Sequence, residues 1–374
     1  MAKDIIKLGD VATYINGYAF KPEDRGEEGL QIIRIQDLTG NSYDLGFYNG
    51  KYPKKIEIND GDVLISWSAS LGVYVWNGGK ALLNQHIFKV KFDKVDIDKS
   101  YFVYAVRYKL NDMGKKTHGA TMKHIVKRDF DATEIPYPPL KKQIEIAINL
   151  DKVLMVIKER KRELKLLDEL IKARFVEMFG TLDTPTQAFE KATLKELCNK
   201  ITDGKHGGCK SEVGTERYFV GAREIYDDDV HYESAPEINI EEFEKDYKRC
   251  NVEIGDFLIV NTGATIGKSA IACDKRTEHT LLQKSVALLK VKKDVLNPIF
   301  LKWCYRVNTK MYMVENASAQ PNLLLSKINA TVIYVPDIEL QNQFADFVHQ
   351  VDKSKLNKIA ARWPAKAVTQ FFFS

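Results

Sequence analysis

Cysteine is scarce in this sequence, and no two cysteines have the spacing of a metal-binding or redox pair. The five cysteines are Cys198, Cys209, Cys250, Cys273 and Cys304, all in the second half of the chain. Zinc ribbons and dithiol centres use cysteines only a few residues apart. We therefore expect neither kind of site, and we expect reduced thiols in a cytoplasmic protein.

Long apolar runs are also missing. No run approaches the roughly 18 residues that a membrane span needs, and the opening MAKDIIKLGDVA lacks the apolar core of a signal peptide. The sequence therefore predicts a soluble cytoplasmic protein without a membrane partner. The net charge of +5 is small for 374 residues, so contact with nucleic acid must come from local groups and not from a global field.

The chain has no complete signature of a catalytic or nucleotide-binding site. A P-loop needs four residues between its first glycine and the Gly-Lys-Ser/Thr group, whereas three separate Gly263 from Gly267 in TGATIGKS. We interpret this segment as a turn at the end of a strand. No G-x-S-x-G elbow, G-x-G-x-x-G loop or His-x-x-x-His pair occurs, so we predict no catalytic residue and no metal ligand.

The acidic run from Glu237 to Asp246 leaves an enzymatic alternative open. Paired carboxylates can act as general acid and base, as a self-contained nuclease or methyltransferase would require. Carboxylates interspersed with lysines are more typical of a solvated surface. A further alternative is a scaffold whose domains bind peptides, and such binding would be insensitive to salt, unlike binding to DNA phosphates.

The rest of the chain is organised around a stretch without proline or glycine at 143–179, closed by Gly180. Apolar residues recur every seven positions, which favours a helix with a seam for a partner helix. At ~1.5 Å per residue it would be on the order of 55 Å long, which suits a spacer. The predicted seam residues are Leu150, Ile157, Leu164, Leu167 and Ile171, and in a second, shorter helix Phe344, Phe347 and Val351.

The parts before and after this helix repeat each other. GDVLI at 61–65 recurs as GDFLI at 255–259, and Gln143 recurs as Gln341, with other matches in the same order. Ordered matches of this kind indicate a duplication. Each copy has short strands bounded by Gly, Asp and Asn together with a helix, which predicts the α/β (α+β) class.

The repeat also predicts the domain boundaries and the main elements. Strands are expected at 31–38 and 86–92, and helices at 101–110 and 299–308. The predicted organisation is a first domain at 1–139, a spacer helix at 140–180, a second domain at 188–336, a short helix at 338–362 and a tail at 363–374.

Loops after the predicted strands carry polar and aromatic residues in both domains. Asn, Gln and Arg can make bidentate contacts with bases, and Ser, Thr and Lys commonly hold phosphate. The hypothesis of a DNA-binding surface depends on the whole set and on its duplication. In the first domain the candidates are Arg34, Gln36, Trp67, Ser68, Ser70, Asn84, Gln85, His86, His118, Thr121, Lys123 and His124. In the second they are Lys205, His206, Arg223, Asn261, Thr262, Thr265, Lys268, Gln283, Lys284, Ser318, Gln320 and Asn322.

Over nearly its whole length the chain resembles the specificity (S) subunits of type I restriction–modification systems. The first half carries LGDVA at 8–12, GDVLIS at 61–66 and LLNQHIFKV at 82–90. GDFLIVNTGATIGK at 255–268 is the counterpart in the second half. PPLKKQIEIA and VPDIELQNQFADFV resemble the junctions through which the family's domains lead into helices.

The resemblance implies two target-recognition domains related by pseudo-twofold symmetry and separated by long antiparallel coiled-coil helices. Each domain would read one half of a split, asymmetric sequence in double-stranded DNA. The subunit would catalyse nothing and would need no cofactor of its own. It would recruit methylation (M) subunits, which use S-adenosylmethionine to methylate adenine, and restriction (R) subunits, with which the complex cleaves DNA using ATP.

The second helix departs from the family pattern, in which it is nearly as long as the first. The sequence therefore predicts a truncated helix pair, or one that a partner chain completes.

Overall fold

The structure, a computed structural model, describes residues 5–115, 124–312 and 322–359. These residues form two compact units, which divide between Arg160 and Lys161 within one long helix. We call the unit before this division domain 1 and the unit after it domain 2. Both contain helices and sheets, which confirms the predicted α/β (α+β) class.

Domain 1 begins with nine strands and two short α-helices. They are β1 (Ile5–Lys7), α1 (Leu8–Val11), β2 (Thr13–Asn16), β3 (Leu30–Ile33), α2 (Ile35–Thr39), β4 (Phe47–Tyr48), β5 (Glu57–Ile58), β6 (Val63–Ser66), β7 (Gly72–Val75), β8 (Ala81–Leu83) and β9 (Ile87–Lys91). There follow α3 (Lys99–Lys115), α4 (Lys127–Asp131), β10 (Glu134–Pro136) and the long helix α5 (Leu140–Phe179).

Domain 2 contains the last part of α5 and a second series of elements. They are β11 (Glu190–Thr193), α6 (Leu194–Leu197), β12 (Cys198–Asp203), β13 (Tyr218–Val220), β14 (Ile225–Tyr226), β15 (Asp229–Val230), α7 (Ile240–Tyr247), β16 (Phe257–Val260), β17 (Ser269–Ile271), β18 (Thr280–Leu282) and β19 (Val286–Val291). There follow α8 (Pro298–Val307), α9 (Leu325–Ala330), β20 (Val332–Val335) and α10 (Ile338–Ile359).

The core of domain 1 has an antiparallel sheet of order β2-β9-β6-β7 at its centre. Strand β6 is buried at every position, because successive side chains of a strand point to opposite faces and both faces are covered. Val63 and Ile65 pack with Phe102 of α3. Leu64 packs on the other face with Leu83 of β8.

Domain 2 repeats this arrangement. Its antiparallel sheet has the order β12-β19-β16-β17, and β16 is likewise buried throughout. Phe257 and Ile259 pack with Phe300 of α8, and Leu258 packs on the opposite face with Leu282. The parallel pair β3–β8 also has its counterpart in β13–β18. The predicted duplication is therefore confirmed at the level of topology.

A buried glutamine makes two equivalent hydrogen bonds in both domains. Oε1 of Gln143 accepts from the N–H of Asp98 (3.0 Å), and its Nε2 donates to the carbonyl of Pro138 (2.8 Å). Oε1 of Gln341 accepts from the N–H of Asn297 (2.9 Å), and its Nε2 donates to the proline carbonyl five residues earlier (2.7 Å). The recurrence of this glutamine in the sequence thus reflects a recurring hydrogen-bond site.

The predicted spacer is one helix of 40 residues, α5, about 60 Å long at ~1.5 Å per residue. It ends at Gly180, whose φ of 75° suits glycine at a helix terminus. Its apolar residues do not form one continuous seam. Leu150 is buried in the core of domain 1 with residues of α3 and the central sheet, and half-buried Ile157 packs against that core. Among the described residues α5 here contacts a domain core, where a partner helix was predicted.

The C-terminal part of α5 pairs with α10 in domain 2. The rings of Phe175 and Phe344 lie 5.3 Å apart, and Nζ of Lys355 lies 2.7 Å from a carboxylate oxygen of Asp168. From the first contact to the second, the residue number rises along α10 and falls along α5, so the two helices are antiparallel here. Of the other predicted seam residues, Ile171 and Val351 are buried, and Leu164, Leu167 and Phe347 are half-buried.

The strand predicted at 31–38 is correct only in its first half. Strand β3 ends at Ile33, and α2 begins at Ile35. The backbone N–H of Arg34 donates to the Asp37 carboxylate (2.7 Å), which is the capping arrangement that starts a helix. The predicted tail and the last residues of the second predicted helix lie outside the described residues. None of the described helices has the length and apolarity needed to cross a membrane.

Candidate nucleic-acid interface

In domain 1 the ends of neighbouring strands bring separate loops together. Trp67 follows β6, and its backbone N–H donates to the carbonyl of His86, which follows β8 (3.1 Å). The carbonyl of Trp67 accepts from the N–H of Ile125 (2.9 Å). Ser68 pairs with His124 in an isolated antiparallel bridge. Predicted site residues that are far apart in the sequence therefore meet at one edge of the sheet.

These residues line a cavity of about 560 Å³, within the range of about 300 to 1,000 Å³ that is common for ligand sites. The ring of Trp67 stacks on that of Phe88, with centroids 5.7 Å apart, and meets the ring of His86 at 4.9 Å. We call this cavity the aromatic pocket. It is lined by Tyr14, Asn16, Trp67, Ser68, His86, Phe88, His124, Ile125, Val126 and Lys127.

The aromatic pocket also contains polar groups with hydrogen-bonding capacity to spare. Nδ1 of His86 is buried and has no hydrogen-bond partner among the described residues. His86 has a φ of 71°, a left-handed conformation that is uncommon outside glycine and is often found at functional sites. The indole N–H of Trp67 donates to Oδ1 of Asn16 (3.2 Å). Because an unpaired buried polar atom is costly, a ligand that bonds to His86 would relieve it.

Lys127 places a positive charge beside the aromatic rings. Its ammonium lies 5.3 Å from the ring centroid of Tyr14 and 5.7 Å from that of Phe88, and it is ion-paired with Asp131 (2.6 Å). Burial, and then the charge of Asp131, raises the pKa of Tyr14, whose hydroxyl donates to the carbonyl of Leu8 (2.9 Å). Tyr14 is therefore a neutral wall of the pocket.

Arg34 is not placed to contact bases. It is 6% exposed, and its guanidinium is ion-paired with Asp37 (3.1 Å) and Asp44 (3.3 Å). The sequence predicts Arg34 as a DNA-binding residue, whereas its guanidinium is engaged within the domain, and Gln36 belongs to the same network. Of the remaining candidates in domain 1, Ser70 is exposed, and Asn84 and Gln85 are half-buried.

Domain 2 repeats the convergence of strand ends with other side chains. The N–H of Asn261 donates to the carbonyl of Ser285 (3.0 Å), and the carbonyl of Asn261 accepts from the N–H of Leu323 (2.7 Å). Thr262 pairs with Asn322 in an isolated bridge, and their side-chain oxygens lie 3.3 Å apart. By these bonds Asn261, Thr262, Ser285 and Asn322 stand where domain 1 has Trp67, Ser68, His86 and His124.

The Lys and Arg residues predicted to bind DNA in domain 2 fall into two groups. Lys205 is held by Asp246 (2.6 Å) and Glu242 (3.6 Å), so it is occupied within the domain. Arg223, Lys268 and Lys284 are exposed, and in the described part of the chain none of them forms an ion pair. Of the other candidates, His206 lies 3.2 Å from the Asp203 carboxylate, and Thr265 and Gln283 are half-buried.

The predicted residues and the residues that line the aromatic pocket overlap only in part. His118, Thr121, Lys123, Ser318 and Gln320 lie outside the described residues. Sequence reasoning missed Tyr14, Asn16, Phe88 and Lys127 as pocket residues. The turn at Asn16-Gly17 and the alternation along β9 were available signals, but only the paired strands show that they face Trp67.

The acidic run does not form a catalytic pair. The Glu237 carboxylate accepts from the N–H of Thr215 (2.9 Å), and that of Glu242 accepts from the N–H of Lys210 (3.1 Å). These carboxylates hold loops around α7, which argues against the enzymatic alternative. Among the described residues no group of three His, Cys, Asp or Glu side chains could hold a metal ion.

The cysteines are all free, in agreement with the expectation of reduced thiols. Burial raises the pKa of the Cys198 thiol to about 12 and that of Cys250 to about 11. Both thiols therefore stay protonated at neutral pH, and a protonated thiol is a poor nucleophile.

Comparison with known proteins agrees with this architecture. The family model of the type I restriction modification DNA specificity domain matches residues 3–166 and again residues 187–362. The EcoBI type I restriction enzyme specificity subunit of Escherichia coli is 25% identical over 380 residues, covering 92% of this chain and 78% of that protein. The EcoKI specificity subunit of Escherichia coli strain K12 is 20% identical over 390 residues, covering 93% and 81%.

Two solved structures share the fold. The crystal structure of the type I restriction–modification S subunit from M. genitalium has a TM-score of 0.56 at 14% identity, over 99% of this chain and 96% of that one. A structure from work on complex assembly and conformational transition of the type I R-M system has a TM-score of 0.53 at 14% identity, over 99% and 97%. With one family model matching both halves, the chain belongs to the family of type I restriction modification DNA specificity domains.

Proposed function

We propose that this chain is the specificity subunit of a type I restriction–modification complex and reads a bipartite, asymmetric target in double-stranded DNA. The observation that carries the proposal is the pair of strand-end surfaces, one in each domain. Their backbone hydrogen bonds are the same, while their side chains differ. One framework that presents two different sets of side chains suits a target whose two halves differ in sequence.

The surface of domain 2 has groups of the kinds that DNA recognition uses. Arg223, Lys268 and Lys284 are exposed cations, and phosphate contacts of this kind position a protein on the duplex. Gln283 and Asn322 carry amides, which can bond to adenine in the major groove. In the acidic run the carboxylates of Glu237, Glu242 and Asp246 are bonded within the domain, so DNA reading is a better match than DNA cleavage.

The single helix α5 contributes residues to both domain cores, and we infer that it fixes the register between the two half-sites. Once one domain is bound, the other is held near its own half-site, which raises its effective concentration. Two modest affinities then combine into one selective affinity.

The chemistry would come from partner subunits. We infer that the chain recruits methylation subunits, which use S-adenosylmethionine to methylate adenine in the target. Restriction subunits would join the same complex and cleave DNA with ATP. In this scheme the chain itself binds neither S-adenosylmethionine nor ATP and catalyses no step.

Co-expression with a cognate methylation subunit tests the proposal. Sequencing of methylated adenines is expected to reveal one split motif with an unread gap, and DNA retention is expected to fall steeply with salt. Methylation by the purified chain alone would favour the enzymatic alternative. DNA retention that is absent, together with salt-insensitive binding to a protein, would favour the scaffold.

A heptad insertion tests the role of the spacer. Seven residues inserted between Arg160 and Lys161 extend α5 by about 10 Å and change its facing by only about 20°. The gap in the methylated motif should lengthen by roughly three base pairs at ~3.4 Å each, while both half-sites stay the same. Lys161→Ala, at the same point in the helix, should leave the gap unchanged. If the gap in the methylated motif keeps its length after the insertion, the spacer role is contradicted.

A further inference from the structure

Among the described residues, the rings of the aromatic pocket have no aromatic equivalents in domain 2. The strand registers of the two sheets give the equivalent positions directly. At these equivalent positions the residues of domain 2 are not aromatic. The pocket rings Tyr14, Trp67, His86 and Phe88 correspond to Ile201, Asn261, Ser285 and Ala287. Since the backbone bonds are shared, the pocket is a feature of side chains that domain 1 alone carries, and the shared fold does not account for it.

Ring faces are poorly suited to reading a base that stays in the duplex. A paired base shows only its edge in the grooves, where amides, hydroxyls and guanidinium groups read it. Its flat face is covered by its neighbours in the stack. Aromatic side chains bind bases mainly through that face, as in proteins that hold single strands or extruded nucleotides.

The aromatic pocket offers both surfaces that an unstacked base requires. The stacked pair of Trp67 and Phe88 provides a flat wall, and the ring of His86 stands at an angle of 65° to Trp67. The unpaired Nδ1 of His86 and the side chain of Asn16 supply hydrogen-bonding groups for a base edge. Lys127, half exposed at its side chain, adds a cation to the same pocket, and a nucleotide phosphate there would compete with the Asp131 carboxylate that now holds it (2.6 Å).

We call the half of the target that domain 1 reads the first half-site, and the half that domain 2 reads the second half-site. We infer that the aromatic pocket takes up one nucleobase of the first half-site, turned out of the DNA stack, and that this base contributes to specificity. This inference rests on the proposed function, because the base comes from the bound duplex. The pocket volume of about 560 Å³ leaves room for a purine or a pyrimidine with its sugar. Domain 2, without the rings, reads its half-site from base edges alone.

Mismatch scanning of the methylated target tests the inference. Extruding a base requires it to be unpaired, and a mismatch removes part of that cost. The complex of the full chain with methylation subunits is titrated with duplexes that each carry one mismatch, at positions other than the methylated adenines. One position in the first half-site should bind about fivefold or more tightly than the paired duplex, because the mismatch removes part of the unpairing cost and fivefold in affinity corresponds to about 1 kcal/mol of that cost. No position in the second half-site should do so.

Two variants link that preference to the pocket. Trp67→Ala removes the stacking wall, and His86→Asn removes the ring while keeping a residue that tolerates a positive φ. Both should bring the mismatched and paired duplexes to within about twofold of each other. Tyr43→Ala removes an aromatic ring that is 89% exposed and should retain the preference.

The outcomes separate the inference from the proposed function. A split methylated motif without any preferred mismatch in the first half-site, or with a preference that survives both variants, overturns the pocket and leaves the specificity subunit intact. Loss of subunit assembly in both folded variants assigns the pocket to a protein side chain and also overturns the inference. If no split motif is found at all, the proposed function itself fails. Circular dichroism shows whether each variant is folded. If Trp67→Ala does not fold, His86→Asn alone tests the role of the pocket.

Discussion

Domains 1 and 2 share a backbone and differ in what the backbone presents. In both, the central strand is followed by a residue whose N–H donates across to the loop after the parallel strand pair. This residue is Trp67 in domain 1 and Asn261 in domain 2. The comparison shows that main-chain hydrogen bonds and close backbone approaches specify the fold, whereas side chains at strand ends are free to differ.

The largest effect that tests this comparison is expected at a glycine common to both domains. A Cβ at Gly17 would lie 1.9 Å from the carbonyl oxygen of Asn84, and a Cβ at Gly204 would lie 2.1 Å from that of Leu282. Because the obstacle is backbone, we expect Gly17→Ala and Gly204→Ala each to lower the free energy of unfolding by about 3 kcal/mol, near the upper end for overpacking. Urea unfolding measures this change.

Gly208→Ala is the matched control, because a Cβ at Gly208 meets nothing within 4 Å. It should change the free energy of unfolding by less than about 0.5 kcal/mol in the destabilising direction. A large loss at Gly17 with none at Gly204, or the reverse, would show that the two domains do not share the framework.

A smaller effect is expected at the paired glutamines. Gln143→Ala and Gln341→Ala each leave a main-chain N–H and one or more carbonyls without a partner. Buried polar groups left in this way cost about 1–3 kcal/mol, and thermal or urea unfolding should show losses of similar size in both variants. Gln343→Ala, at an exposed position of the same helix as Gln341, should stay within about 0.5 kcal/mol.

The smallest effect sharpens the difference between the two surfaces. Lys268→Ala and Lys284→Ala remove exposed cations from domain 2, and each should reduce the slope of log affinity against log salt by about 0.9 if the lysine meets one phosphate. Binding should weaken about equally for different target sequences. Lys245→Ala, an exposed lysine on α7, should keep the slope, and an unchanged slope in all three variants would remove these lysines from the DNA contact.

The duplication, the long helix and the mixed class could be predicted from the sequence, because they depend on local periodicity and on repeated motifs. The recurrence of Gln143 as Gln341 was visible, and its meaning is the hydrogen-bond site described above. The seam was predicted less well. Leu150 and Ile157 satisfy a heptad pattern, yet a heptad cannot tell whether the partner surface is another helix or a domain core, which is what these residues contact.

The candidate site was predicted in its parts and not in its assembly. Trp67, Ser68, His86 and His124 stood out as loop residues, but their convergence depends on strand pairing between distant segments. Arg34 also stood out in the sequence, but it does not join the site. The sequence around it does not show whether its guanidinium is free to bind DNA or is held by Asp37 and Asp44, as it is in the structure. The contribution of Phe88 was hidden because an alternating apolar residue in a strand normally belongs to the core.

The most direct measurement of the central claim is the methylated motif of single-site variants, one in each domain. Cells that carry the methylation subunits with the unaltered chain, with Trp67→Ala or with Gln283→Ala are compared by sequencing their methylated adenines. The account predicts a split motif in which Trp67→Ala relaxes only one half and Gln283→Ala relaxes only the other, with the gap unchanged. A continuous motif, or variants that each alter both halves, would contradict it.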